Sequence, residues 1–296
     1  MAEKEAVAEL LRGAYDMHIH TSPDVADRKT NDVLLAERAL EAGIAGFVLK
    51  SHYVPTADRA THLRYRFPEL KAYGGIALNN SVGGMNPVAV EVAGRLGARV
   101  VWLPTVDAAN ERHHITDPQD PRLNIMRAMN EKGIPDPGIS IIDEDGKLTE
   151  STRQCLDVIA QYDMVLATGH VSVPEMIAVA KAAAEAKVQR VVITHPEAPM
   201  LNLGPEDEKE LLKYNVFFER CALFCVMEVV AWDAMFHRIR ELGASRTIMS
   251  TDLGQPRNPF QDEGVGIYVA NLLDAGFPAS DIEIMCQQNP LAMLET

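Results

Sequence analysis

Cysteine, aromatic side chains, cationic residues and long apolar runs are all scarce in this 296-residue chain. The four cysteines, Cys155, Cys221, Cys225 and Cys286, include no Cys-x-x-Cys pair and build no dense framework. They read as buried, reduced small hydrophobes, with disulfide or metal partnership as the other reading. No apolar stretch approaches the roughly 20 residues that a membrane-spanning helix needs. Lysine and arginine total 28 against 42 aspartates and glutamates, a formal charge of −14. That balance excludes a nucleic-acid groove, which needs clustered cations, and disfavours an anionic membrane surface. It says little about a substrate, because a bound divalent ion can dominate the field of a site. No Gly-x-Gly-x-x-Gly follows the first apolar run, so a dinucleotide-binding fold has no support. The opening MAEKEAVAELLRGAYD mixes acids into its apolar positions and reads as a short amphipathic helix, not a signal peptide, which makes the cytoplasm the expected compartment.

What is present is a globular composition, 47% hydrophobic, arranged as short β-type runs alternating with helical segments. The runs end near His20, Lys50, Leu78, Pro104, His170, His195, Glu219 and Asp252. Between them lie stretches such as NDVLLAERALEAG and NPVAVEVAGRLGA, with apolar residues at helical spacing and Gly43 and Gly97 placed as C-caps. Strand–helix alternation implies a parallel sheet, and eight units imply an α/β fold closed as a (β/α)8 TIM barrel, a single domain over 1–296; an open doubly wound sheet is the alternative. A long insertion after strand four breaks the rhythm. Its ISIIDE–DG–KLTE stretch predicts a β-hairpin, and the whole insertion is expected over the C-terminal mouth, where it would shape substrate access.

The strongest local signal is Asp16-Met17-His18-Ile19-His20. In a strand, side chains two apart share a side, so His18 and His20 project together and can chelate one divalent ion. Alone, the pair reads equally as two polar strand-end histidines. His170, His195 and Asp252 then close three later strands, and in a barrel those ends converge on one opening.

With these residues in place the chain resembles the amidohydrolase superfamily. Gln288-Asn289-Pro290-Leu291-Ala292-Met293-Leu294 looks like that superfamily's closing Asn-Pro helix start. The resemblance implies that His18, His20 and His170 bind metal, and that Asp252 is both ligand and proton acceptor. It makes His195 a second metal's ligand or the group that polarises the substrate. Two-metal members usually carry a bridging lysine or glutamate on strand four, whereas here that strand ends Val101-Trp102-Leu103-Pro104-Thr105. The site therefore holds one ion, or two bridged from elsewhere. Lys50 is the best substitute, as a carbamylated bridge, a substrate contact or a lysine paired with an acid such as Asp16.

His52 shares the face of Lys50 and is a substrate or metal contact or a loop anchor. Glu219 can approach the metal and Arg220 can meet a substrate carboxylate, or the two form a structural ion pair. His113 and His114 are expected at the surface, and His62 and His237 in structural helical positions. Thr21–Asp24, Asn79–Asn86 and Gly254–Pro259 are candidate pocket loops.

The expected chemistry is metal-assisted hydrolysis of a small-molecule amide, cyclic amide or lactone, with Asp252 as general base and His195 or Arg220 stabilising the oxyanion. The same site could instead serve a decarboxylase or other lyase, with Arg220 holding the carboxylate. Phosphoesterase chemistry is a third reading, weakened because the last strand ends Asp252-Leu253-Gly254 and not Asp-x-His. A binding protein that kept the barrel and lost activity is a fourth. Zinc leads among divalent metals, with manganese, iron and nickel open. The expected partner is a small-molecule substrate, with no nucleic acid and no membrane; a homo-oligomer is open.

Overall fold

The computed structural model describes residues 2–295. Eight strands, β1 (Tyr15–Ile19), β2 (Gly46–Leu49), β3 (Lys71–Ala77), β4 (Val100–Trp102), β5 (Val165–Ala167), β6 (Val191–Thr194), β7 (Val216–Cys221) and β8 (Thr247–Ser250), lie side by side in chain order. Every ladder from β1 to β8 is parallel. The circle is joined between its ends by a parallel bridge at Ile19 and Leu253. There the amide of His20 donates to the Leu253 carbonyl at 2.9 Å, and that of Asp252 to the His18 carbonyl at 2.8 Å. With helices alternating along the chain, this is a (β/α)8 barrel.

Strand alternation sorts the apolar residues into two layers. Val48, Val100, Trp102, Val165, Ala167, Val192 and Ile248 fill the barrel interior. Phe47, Leu49, Val101, Ile193 and Phe218 face outward against the helices. The Trp102 indole fits because Gly75 opposite has no side chain: a Cβ there would come within 2.5 Å of the ring. The helices begin and end where local chemistry allows. Asn31 caps the helix Asp32–Ala42 by accepting from the Leu34 amide, and Gly43 ends it at φ 79°.

The floor is closed by the last helix, Asn289–Leu294. Met293 and Leu294 enter the interior cluster, each burying a side chain for about 1.5–3 kcal/mol. The Asn289 amide donates to the carbonyls of Ala244 and Thr247, tying the helix to the start of β8. The Asn-Pro motif thus lies at the end of the barrel opposite the mouth.

The opening segment forms the helix Ala2–Leu11, whose Leu10 and Leu11 join the outer core. Among the described residues no helix is long and apolar enough to cross a membrane. All four cysteines are free and buried. Between β4 and β5 run the helices Ala109–His114, Asn124–Glu131 and Glu150–Gln161. The hairpin expected there is reduced to one antiparallel bridge, Ile142 to Leu148, around a turn in which the Asp143 amide donates to the Lys147 carbonyl. The flanks do not extend into strands because buried Glu175 captures this segment, accepting from the Ile141 amide at 2.9 Å and the Ser140 hydroxyl at 2.8 Å.

Candidate metal centre

β1 departs from strict alternation. Its pairing with β2 is irregular between Asp16 and Ile19, so Met17 stays in the interior while His18 also turns inward. Bulges of this kind re-aim side chains beside active sites. His18 and His20 then present their Nε2 atoms to one oxygen, Asp252 Oδ1, each at 3.1 Å. Asp252 reaches that place from a left-handed backbone, φ 57°, at the end of β8. His195 ends β6 in a left-handed conformation too, φ 30°. Non-glycine residues hold such angles only where the surroundings over-determine them, and they gather at functional sites. Gly254 lets the chain after Asp252 pass the first strand closely: a Cβ there would lie 2.2 Å from the His20 carbonyl oxygen.

His18 is aimed from behind. Its Nδ1 lies 3.2 Å from Glu219 Oε2, and Glu219 in turn accepts from the Ser250 hydroxyl at 3.0 Å. A carboxylate on the far nitrogen fixes ring and tautomer and leaves Nε2 to face the centre. The imidazole rings form a continuous arc: His20 on His52 at 4.9 Å, His52 to His170 at 6.0 Å, and His170 to His195 at 4.9 Å between centroids. Thr105 holds His52 through a 2.8 Å bond to Nδ1, and Asn79 in turn donates to Thr105 at 2.6 Å. Buried among one another, His20, His52 and His195 are pushed well below the ordinary imidazole pKa by loss of hydration, which favours their neutral form. Burial also pulls His18 down, but the Asp252 and Glu219 carboxylates together outweigh it and raise the ring. Burial acts on Asp252 in the opposite sense and is overcome by His18 and His20, which hold the carboxylate well below its usual range.

These residues fit a divalent cation. Among the described residues, His20 Nδ1, His170 Nδ1 and His195 Nδ1 are buried without a hydrogen-bond partner, a cost that native interiors rarely tolerate. Ligand atoms of His18, Cys221 and Asp252 also lie within 4.8 Å of one another. Cys221, however, lies 3.8 Å from His18 Nδ1, on the side that Glu219 occupies, and burial raises its thiol pKa well above normal. The imidazole and carboxylate set of His18, His20 and Asp252 is the better donor group.

Lys50 is fully buried, with Nζ 2.9 Å from His18 Nε2 and 5.4 Å from the Trp102 ring centroid. Of the roles open to it, pairing with Asp16 does not occur. Asp16 accepts instead from the Thr251 hydroxyl at 2.5 Å and amide at 3.0 Å, and from the His18 amide at 3.1 Å. No carboxylate among the described residues lies within ion-pair distance of Lys50. Trp102 occupies the inward position at the end of β4, where a bridging ligand was missed in the sequence.

Arg220 corrects an expectation. It follows Glu219 directly, so when Glu219 faces inward Arg220 faces out, fully buried in the helix layer between Glu197 and Glu208. It pairs with neither Glu219 nor anything in the mouth, and cannot meet a substrate there. Residues not singled out by sequence complete the site. Glu111, on the helix Ala109–His114, sits 3.4 Å from His170 Nδ1 and pairs with Arg122. Its environment was hidden because nothing local tells a helical Glu that it will meet a histidine from β5. A cavity of about 660 Å³ opens above the arc, lined at its base by His20, His52, His170, His195 and Asp252. Leu223, Phe224, Met227, Val229 and Ile115 form its apolar walls; Arg28, Tyr53, Arg122, exposed His114 and Gln255 supply polar edges. Of the expected pocket loops, Gly254–Pro259 contributes Gln255, whereas Asn79 acts indirectly through Thr105. His113, His62 and His237 are exposed on helices.

Residues 13–219 match the model of a family described as a family of unknown function (DUF6282). The chain belongs to this family. The matched region carries His18, His20, Lys50, His170 and His195 and stops at Glu219, before the strand that delivers Asp252. No curated protein matches the sequence. Solved structures share the fold of this family member across nearly its whole length. The probable dipeptidase PvdM from Pseudomonas aeruginosa is 13% identical, with 99% of this chain and 98% of that one covered at a TM-score of 0.65. An amidohydrolase from Pseudomonas aeruginosa is also 13% identical, with 99% and 98% covered at 0.62. A 2,6-dihydroxybenzoate decarboxylase is 11% identical, with 96% and 100% covered at 0.56. The chain thus shares the barrel fold of these proteins.

Proposed function

We propose that the protein is a metal-dependent hydrolase acting on a small-molecule amide, cyclic amide or lactone. The observation that carries this is the meeting of His18 Nε2 and His20 Nε2 on a single Asp252 oxygen at 3.1 Å, beside neutral His170 and His195. His18, His20, His170 and Asp252 would hold the ion, with zinc the first choice for this donor set. When bound, a divalent ion supplies Lewis acidity, polarising a carbonyl oxygen and acidifying water. Asp252, whose carboxyl His18 and His20 hold well below the usual range, accepts the proton of the attacking water and returns it to the leaving group. His195 sits across the arc and hydrogen-bonds the oxygen on which negative charge develops. Lys50, beside His18, would contact substrate or, as a carbamate, would help to hold a second ion, since β4 offers no such ligand.

Elemental analysis followed by assay on amides, lactones and phosphate esters tests the class. Asp252→Asn should abolish turnover with metal still largely bound; retained activity would remove its role as base. Decarboxylation is the second reading, favoured by Trp102 standing where a bridging ligand would be. Carbon dioxide released during the same screen would select it.

A further inference from the structure

Resting on the reading of the mouth as a hydrolytic centre, we propose that Arg28 recognises a carboxylate. The substrate is then an apolar molecule that carries a free carboxylate apart from its scissile bond. Arg28 lies on the loop after β1 and lines the cavity together with His20, His52 and Asp252. Its side chain is only 7% exposed. Nε and Nη2 both rest on one oxygen of Asp24, at 2.8 and 2.7 Å, while the other Asp24 oxygen accepts from the Val25 amide. Among the described residues Nη1 has no hydrogen-bond or ion-pair partner, so one edge of the guanidinium fork is unused.

The cavity's other guanidinium, Arg122, is already committed to Glu111 and Asp120. Much of the wall is apolar, with Phe224, Met227, Val229 and Ile115 prominent. A planar fork in such surroundings suits one carboxylate, received by two parallel hydrogen bonds. A phosphate dianion would call for a second cation, and Arg122 is not free to serve.

The test measures binding, so it does not depend on turnover. Full-length protein, metal-loaded and chelator-treated, is titrated calorimetrically with 4-phenylbutyrate, with 4-phenylbutyramide and with phenyl phosphate. The acid should bind about ten- to a hundred-fold more tightly than the amide, in the chelated protein as well. Arg28→Gln should erase that preference and leave amide binding unchanged, and Arg28→Lys should retain part of it. Equal binding of acid and amide by the wild type overturns the proposal. So does an intact preference in Arg28→Gln, loss of amide binding in that variant, or tighter binding of the phosphate. Acid binding that survives in a protein with no hydrolytic activity would fault the reaction class and leave Arg28 in place.

Discussion

At the floor of the barrel, Met293 and Leu294 pack between the strand starts and both hydrogens of the Asn289 amide are used. At the mouth, three imidazole nitrogens are buried without hydrogen-bond partners, and His195 and Asp252 hold left-handed backbones. The same eight strands make both ends. The contrast shows where stability comes from and where it is given up: strained residues cost on the order of 1 kcal/mol or more each, and the apolar plug offsets them.

That division can be broken by substitution. His18→Ala should have the largest effect, lowering kcat/KM by about a thousand-fold or more in the assay that detects the activity. Added divalent metal should raise the wild type's Tm by several degrees, and the variant should lose that rise while its metal-free Tm stays within a few degrees. A large loss of metal-free stability would show that the mouth is structural after all. Leu294→Ala at the floor should do the reverse, costing about 2–5 kcal/mol in denaturant unfolding with kcat per folded molecule unchanged. Glu219→Gln sharpens the comparison most finely. It keeps the shape behind His18 and removes the charge, so metal affinity by competition titration should fall about 10- to 100-fold with little change in unfolding. Unchanged affinity would mean that Glu219 does not aim the ring.

Much of this was legible in the sequence because the signals were local. β-Type runs closing on His20, His170, His195 and Asp252 marked both the strands and the mouth, since a parallel barrel delivers every strand end to one place. Local signals failed where parity or long-range contact decided. Glu219 and Arg220 are adjacent, so a strand must send them to opposite faces, and only the interior packing of Phe217 and Cys221 shows which goes in. His18 escaped the same rule through an irregularity that no pattern announces. The Asp-Gly turn formed, but its arms were drawn off by Glu175 from a helix outside the segment. Arg28 and Glu111 had no motif at all; their importance comes from what other strands bring beside them.

The seam between Ile19 and Leu253 has a consequence for the order in which the protein comes into being. Two histidines are synthesised near the start and Asp252 near the end, and they meet only when the last strand docks beside the first. Bringing such distant residues together costs on the order of 5 kcal/mol of chain entropy. A ligand shared between them therefore acts as a clasp. A chain stalled after seven strands lacks Asp252 beside His18 and His20, so the ring and that constellation are completed in a single event.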